Sequence, residues 1–528
     1  MVSVVAALLM AAVCGRLMPF SGGNTWAPAG CPTKVPDHWR QCRNPRDRLL
    51  GGLLSPDFDD SSCLSRYRAA LYRRPSLHAI SSHLVSALRR YESLHRHCGP
   101  GTPAYAYARA IERLLLPPNG STTSGCSYVV WNPTEGLATA SSPSPPPSST
   151  RCSPTACSFS TAAAPTSTTS SASHSRAPRG SCQKIKDDFP IRGIEQLSDR
   201  NHHESLGSVL RRDEDPGTAP WLYVHLRHDY ISGGYHDQLF FFDDVQAQLR
   251  RVPWLVFLSD NYIVPELFLI PRHEGELARM FPRRDVVFHH LGRYLFNPSN
   301  TVWDMVTRYH YSYFTKADER EREDILPGVG VPADDKATSA GQVSSGQPAK
   351  QKAVLVMSLH GEYSEKLRGL YHEHGPSGGE VVSVYQPTQL GWQQSGEQRH
   401  NQKALAEMVL LSFSNAVVTT AVSTFGYVGQ GLAGLRPWVL MSPVDGKAPD
   451  TPCRRPATIE PCFHAPPNYN CRAKVNGDSG RMEALARLQI YLSRPASPPG
   501  HCLSSKDWLH QKDQFSFLSV VILHQQRS

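Results

Sequence analysis

Two apolar periodicities alternate along this chain. From residue 221 onward the short runs "WLYVHL" (221–226), "WLVFLS" (254–259), "VVFHHL" (286–291), "AVLVMSL" (353–359), "VVSVYQ" (381–386), "AVVTTA" (416–421) and "PWVLMS" (437–442) are interleaved with helical spacing. The helical stretches fall near 236–252, 274–281, 300–324, 362–373 and 400–413. Apolar runs this short between amphipathic helices predict strands buried on both faces, hence a mostly parallel sheet with helices on either side. Upstream, "SSHLVSALRRYESLHRHC" puts Leu84, Leu88, Tyr91 and Leu94 on one helix face. A helical unit is therefore expected over 45–116, followed by a buried strand at "CSYVVW" (126–131).

Two segments interrupt the pattern. Residues 141–180 are rich in Pro, Ser, Thr and Ala and nearly lack large apolar side chains, so they cannot offset the entropy of ordering and are expected to be disordered. Residues 328–351 are rich in Gly, Ser and Ala and read as a loop. The resulting division is a signal peptide or anchor (1–20), a helical region with the first strand (21–140), a disordered insert (141–185), an α/β region (186–327), a linker (328–351), a second α/β region (352–480) and a tail (481–528). No internal repeat is visible.

At 528 residues and 40% hydrophobic content the chain can bury more than one core. A net charge of +9, scattered over both halves, fits solubility or an anionic ligand and gives no basic stripe of the kind that binds nucleic acid. The 13 cysteines fall into two groups, Cys14 to Cys182 and Cys453 to Cys502. That clustering suits disulfides on loop-rich flanks in an oxidising compartment; no C-x-x-C pair points to zinc. "MVSVVAALLMAAVCG" (1–15) is shorter than the ~20 residues of a spanning helix and reads as a secretory signal or short anchor. Asn119, in Asn119-Gly120-Ser121, is a candidate glycosylation site.

The candidate chemistry lies just beyond the strand ends, because ligands of open α/β sheets bind at the carboxyl ends of strands. "VSTFGYVGQGLAGLRPW" (422–438) follows one strand. Ser423, Thr424 and Gly426 stand at the predicted start of a helix, where unpaired N–H groups and the dipole attract an anion. The literal G-x-G-x-x-G of residues 429–434 begins too far from the strand for a dinucleotide fingerprint. Gly429, Gly431 and Gly434 are read instead as packing positions inside the helix. Asp260 and Asn261 follow "WLVFLS", a place where a general base could stand but where the residues alone favour a helix cap or Asx turn. His289 and His290 close the run "VVFHHL" beside Arg293, within reach of sugar hydroxyls. The D-x-D of Asp213 to Asp215 reads as a solvated turn, so no metal site is expected there. No G-x-S-x-G elbow follows a predicted strand, and the H-E-x-x-H signature is lacking.

Several collinear blocks together resemble the plant galactoside alpha-1,2-fucosyltransferase family, whose members act on xyloglucan. They are "LLGGLLSPDFDDSSCLSRY" (49–67), "VPWLVFLSDNYIVPELFLIP" (252–271), "VVFHHLGRYLFNPSNTVWDMVTRY" (286–309), "GEVVSVYQPTQLGWQQ" (379–394), "HNQKALAEMVLLS" (400–412), "STFGYVGQGLAGLRPW" (423–438) and "CRRPATIEPCFHAPPNYNCRAK" (453–474). The resemblance implies a GT-B architecture of two facing Rossmann-like domains, residence in the Golgi membrane through the N-terminal segment, and metal-independent, inverting transfer of fucose. The donor would be GDP-fucose, and the acceptor a galactosyl hydroxyl of a polysaccharide such as xyloglucan. By the same resemblance Asp260 becomes the acceptor-activating residue and Ser423, Thr424, Phe425, Gly426 and Tyr427 the donor contacts. Asn261, His289, His290, Arg293, His400 and Asn401 become candidate substrate contacts.

The chain departs from the family pattern in three places. Ala138, Thr139 and Ala140 stand where the family has a "GLGNR"-type loop; no arginine-bearing strand follows Lys316 to Arg320; and the tail from about Met482 is unrelated. The first two departures predict an incomplete N-terminal sheet and weak or no turnover. The alternative reading is a non-catalytic lumenal glycan- or nucleotide-binding relative.

Overall fold

The computed structural model describes residues 49–58, 63–98, 102–106, 126–132, 155–160, 181–184, most of 201–314, 351–374, 381–391, 398–420, 423–441, most of 452–461, and 519–524, with a few isolated positions between. Helix α1 (Ser82–Cys98) leads to β1 (Tyr128–Asn132), β2 (Thr155–Ser160) and β3 (Ser181–Lys184). Next come α2 (Leu206–Arg211), β4 (Trp221–Leu226), α3 (Asp243–Leu249), β5 (Trp254–Ser259), α4 (Pro271–Met280), α5 (Val287–Leu295) and α6 (Asn300–Phe314). The second lobe comprises β6 (Gln351–Met357), α7 (Glu362–His374), β7 (Val381–Tyr385), α8 (Gln398–Leu411), β8 (Ala416–Thr420), α9 (Thr424–Ala433), β9 (Trp438–Leu440), β10 (Cys453–Arg454) and β11 (Ser519–His524).

The first sheet has the order β3-β2-β1-β5-β4. β1 and β4 both run parallel to β5, with Trp254 opposite Tyr128 on one side and Trp221 on the other. Tyr128 stacks on Trp254 at 4.2 Å and donates its hydroxyl to the Cys98 carbonyl. A Cys98–Cys126 disulfide ties the end of α1 to the start of β1. The helix predicted from Leu84, Leu88, Tyr91 and Leu94 is α1, and Leu84 and Leu88 enter the main core.

The second sheet has the order β10-β9-β8-β11-β6-β7, in which β6 pairs parallel with β7 and β8 parallel with β9. β11 lies between β6 and β8 and is antiparallel to both.

Three expectations are corrected. The run "VVFHHL" is not a strand but a short 3-10 turn, Arg284–Val286, followed by α5; all nine residues of α5 are buried, so no polar face remained to reveal its helical period. The 141–185 insert contains β2 and β3, which pair antiparallel on the free edge of β1. Their main-chain pairing is a feature that hydropathy does not register. The tail, set apart as divergent, supplies β11. Residues 1–48 and 315–350, and with them the anchor, the end of the helix expected to 324 and the 328–350 loop, lie outside the described residues. Among the described residues no helix is long and apolar enough to cross a membrane.

Candidate functional site

The parallel strands of the second sheet deliver their carboxyl ends to one edge, and three connections leave from it. Gln386, just past β7, donates its side-chain amide to the carbonyls of Ser358 (2.7 Å), His360 (3.2 Å) and Thr388 (3.1 Å). Gly391 N–H donates to Leu359 O at 2.8 Å. The loops after β6 and β7 are thereby tied into one rim. Beyond β8 the chain turns at Ser423, whose backbone is extended and whose buried hydroxyl accepts from Gly426 N–H at 3.2 Å. Ser423 is thus the N-cap of α9. The cap serves one N–H of the first turn, and those of Thr424 and Phe425 have no acceptor within the helix. Their partial charge and the dipole suit an anion at this edge.

Tyr427, read as a donor contact, points into the protein; it is buried, and burial pushes its hydroxyl well above the ordinary tyrosine range. Phe425 is half-buried.

The glycines of α9 pack, as their distance from the strand end implies. A Cβ on Gly429 would stand 2.5 Å from Leu411 Cβ of α8, and one on Gly431 would stand 2.5 Å from Phe288 Cδ1 of α5. Gly434 takes the left-handed conformation (φ 71°) that ends the helix, in the space beside His289. Gly292 of α5 faces Leu432 of α9 in the same way, at 2.9 Å. The two lobes therefore meet along a helix pair kept close by missing side chains, and Val428 and Leu432 of α9 belong to the first lobe's core.

His289, His290 and Arg293 lie in this seam. His289 donates Nδ1–H towards the carbonyls of Gly431 and Leu432, both at 3.1 Å, and accepts at Nε2 from the Ser76 hydroxyl at 2.8 Å. Burial, then the Arg293 and His290 charges, hold its pKa well below the usual histidine range. Burial, then the His78 and Arg293 charges, bring His290 down to about 4. Both rings are buried and sit inside a helix, which corrects their placement at a solvent-facing strand end. Glu460, from the "IEPCFHAPP" block, accepts from Phe288 N–H at 2.9 Å and so caps the start of α5.

In the first lobe, Asp260 and Asn261 follow β5 directly and lie outside the described residues, as does Asn119. The neighbouring strand places His225 opposite Leu258 and Leu226 opposite Ser259, immediately before Asp260. Behind this point stands a carboxyl that sequence reasoning missed. Asp237 is buried and accepts from His225 N–H at 2.6 Å and from Gly207 N–H at 3.2 Å. Burial pushes it up to about 7, against the pull of those two N–H groups and of Arg211. A second missed carboxyl is Glu407 of α8, facing Tyr309 and Tyr313 of α6; burial raises it to about 7 against the Thr388 hydroxyl and Lys403. A lone acid before or within an apolar run carries no sequence signal of its burial.

His400 sits half-buried in the first turn of α8, its pKa lowered by burial and then by Lys403, and Asn401 follows it. The Asp213–Asp215 stretch is the turn expected: Asp215 accepts from Gly217 N–H and pairs with Arg251 at 2.7 Å.

A family model described as xyloglucan fucosyltransferase matches residues 30–141, 181–321 and 320–472. A galactoside 2-alpha-L-fucosyltransferase of Arabidopsis thaliana is 40% identical over 473 residues, 83% of this chain and 80% of the relative. One of Pisum sativum is 38% identical over 471 residues, 83% and 79% of the two chains. A solved structure of an Arabidopsis thaliana FUT1 mutant in complex with GDP superposes with a TM-score of 0.60 at 34% identity, covering 81% of this chain and 94% of that one.

Proposed function

The chain belongs to the xyloglucan fucosyltransferase family, and from that premise we propose that it binds GDP-fucose at the carboxyl edge of the second sheet and transfers fucose to a galactosyl hydroxyl of a cell-wall polysaccharide such as xyloglucan. The observation that carries the donor assignment is the Ser423-capped start of α9, at the same edge of the sheet as the rim tied by Gln386. There the spare N–H groups of the first turn meet the diphosphate, whose charge grows as the bond to fucose breaks. The acceptor oxygen attacks the anomeric carbon from the face opposite the leaving diphosphate, which inverts that centre. Its proton passes to the Asp260 carboxylate, and the electrons of the breaking bond leave with GDP. The backbone donors and the side chain at Asp260 supply the charge stabilisation and the base, so the step runs without a metal. The N-terminal apolar segment holds the enzyme in the Golgi membrane with the catalytic lobes in the lumen.

Turnover is expected to be weak, because the arginine and the Gly-rich loop of the family pattern have no counterpart. The test combines calorimetric titration with GDP and a transfer assay using radiolabelled GDP-fucose and galactosylated xyloglucan, with and without chelator. Transfer that is insensitive to chelator and abolished by Asp260→Ala supports the reading. GDP binding without any transfer establishes the non-catalytic binding relative instead, and failure to bind GDP refutes the donor site.

A further inference from the structure

A small antiparallel hairpin begins just past the carboxyl end of β4, with His228 opposite Tyr235 and Asp229 opposite Gly234. It leaves the edge of the first sheet at which β5 also ends, since Leu226 of β4 is the register partner of Ser259. Asp260, the base of the proposed reaction, is the next residue in the chain. A two-stranded hairpin is at best marginally stable by itself, so its base has to be held from outside.

Asp237 supplies that hold. Its own N–H donates to His225 O at 3.0 Å, and its Oδ2 accepts from His225 N–H at 2.6 Å, so both main-chain groups of His225, near the end of β4, are tied to it. Its Oδ1 accepts from Gly207 N–H at 3.2 Å, in the first turn of α2, where the Ser205 hydroxyl takes the N–H of Ser208. The fit requires glycine: a Cβ on residue 207 would stand 2.7 Å from Oδ1. On the descending side the Asp237 carbonyl accepts from Phe240 N–H at 3.0 Å, and Phe240 and Phe241 lie in the first core. The His225 ring is fixed in turn by the Tyr223 hydroxyl, which lies 2.8 Å from Nδ1 and 3.1 Å from Leu197 O.

A buried carboxyl is a costly means of closing a turn, and apolar packing of similar volume usually holds a fold as well. What the carboxyl adds is direction, because N–H groups of two different elements meet it along fixed axes. Local costs of this kind collect where a fold supports a functional site.

We propose that Asp237 is a positioning residue for the acceptor: by closing the base of the 228–235 hairpin against β4 and α2, it fixes the carboxyl edge of the first sheet, where the galactosylated polysaccharide lies. This role rests on the transfer reaction proposed above and concerns its acceptor alone, since the donor is assigned to the second lobe.

Two variants of the full-length chain loosen the contact from opposite sides. Asp237→Asn keeps the shape but leaves one of the two N–H groups facing an amide NH2. Gly207→Ala presses a methyl group against Oδ1 without altering any charge, and it carries the test by itself should Asp237→Asn fail to fold. Amide exchange at His225 and across 228–235 should accelerate by roughly tenfold or more in both variants, while that in β8 and α9 is unchanged. This measurement needs neither ligand nor turnover. Equilibrium binding of a labelled galactosylated xyloglucan oligosaccharide should weaken by roughly tenfold in each variant, and by no more than about that in the double variant, because both changes release the same contact. GDP affinity, measured by calorimetry, should equal that of the parent. Unchanged exchange at His225 overturns the latch. Faster exchange with unchanged oligosaccharide affinity, or a parent that binds no oligosaccharide, overturns the positioning role, as does an equal loss of GDP affinity, the mark of general loosening. A parent that binds the oligosaccharide but not GDP refutes the donor site instead, and the exchange and oligosaccharide measurements still decide the role of Asp237.

Discussion

Replacing Gly431 by alanine probes the contact that sets one lobe against the other. The new Cβ would lie 2.5 Å from Cδ1 and 3.0 Å from Cε1 of Phe288, whereas carbon atoms rest at about 3.5–4.0 Å. About an ångström must be found. Phe288 is fully buried and its backbone N–H is held by Glu460, so the ring cannot swing into solvent. Alanine favours the helix over glycine by about 1 kcal/mol, and overpacking costs about 1–3 kcal/mol. The single substitution is therefore expected to destabilise by only about 0–2 kcal/mol. The decisive quantity is the coupling with Phe288→Leu. Shortening that ring alone costs about 1–2 kcal/mol, but in the Gly431→Ala background it also relieves the clash. The two changes should then couple favourably by about 1–3 kcal/mol. Urea unfolding of the four proteins, followed by tryptophan fluorescence, measures the cycle. Gly429→Ala is the control, because its clash is with Leu411 inside the second lobe and Phe288→Leu should not relieve it. Additivity of Gly431→Ala and Phe288→Leu within about 0.5 kcal/mol would refute the close approach of α5 and α9.

Ser423→Asp keeps a side-chain acceptor for Gly426 and should leave stability near that of the parent, yet it places a negative charge beside the donor diphosphate. GDP affinity measured by calorimetry should fall roughly ten- to hundredfold, and an unchanged affinity removes the phosphate from the start of α9. His273, buried and held at about 4 by desolvation and then by Arg250, takes up its proton in the unfolded chain at about 6.5 and in the folded one only near 4. Its contribution to stability is complete above about pH 6.5 and is lost as pH falls towards 4. His273→Gln retains a donor for Gln246 and should reduce the stability lost between pH 7 and pH 5 by about 2 kcal/mol in pH-dependent urea titrations. Asp237 and Glu407 act in the opposite sense. Their folded pKa values near 7 mean that stability declines as pH rises from about 4 to 7, so Glu407→Gln should flatten that decline. Reducing the Cys98–Cys126 bridge, whose cysteines are 28 residues apart, should cost roughly 3–4 kcal/mol by the chain-entropy relation, read as a shift of the thermal midpoint with reductant.

The parallel strands were legible because each is a short apolar run covered on both faces, as the fully buried Leu222, Tyr223, Val224 and Leu226 of β4 illustrate. The packing role of Gly429, Gly431 and Gly434 was also legible, from their distance beyond the strand end. α5 was not, since a helix buried on every side has the same hydropathy as a buried strand. β2, β3 and β11 escaped for a different reason: each is defined by pairing with other strands, and no local pattern encodes a pairing partner elsewhere in the chain. Among the site residues, Ser423 was placed at the start of a helix, but as an anion contact; its capping bond from Gly426 N–H was not read from the sequence. The structural duty of His289 depends on Ser76 and on two carbonyls of α9, partners remote in sequence.

The position of β11 also governs when the protein can be finished. A ribosome releases the chain from the amino end, so the first lobe and both halves of the second sheet emerge while Ser519–His524 is still to be made. The edges of β6 and β8 that β11 pairs with stay uncovered throughout that interval. A truncation or cut ahead of residue 519 therefore acts on the middle of the second lobe, although the residues it removes are remote in sequence from β6 and β8.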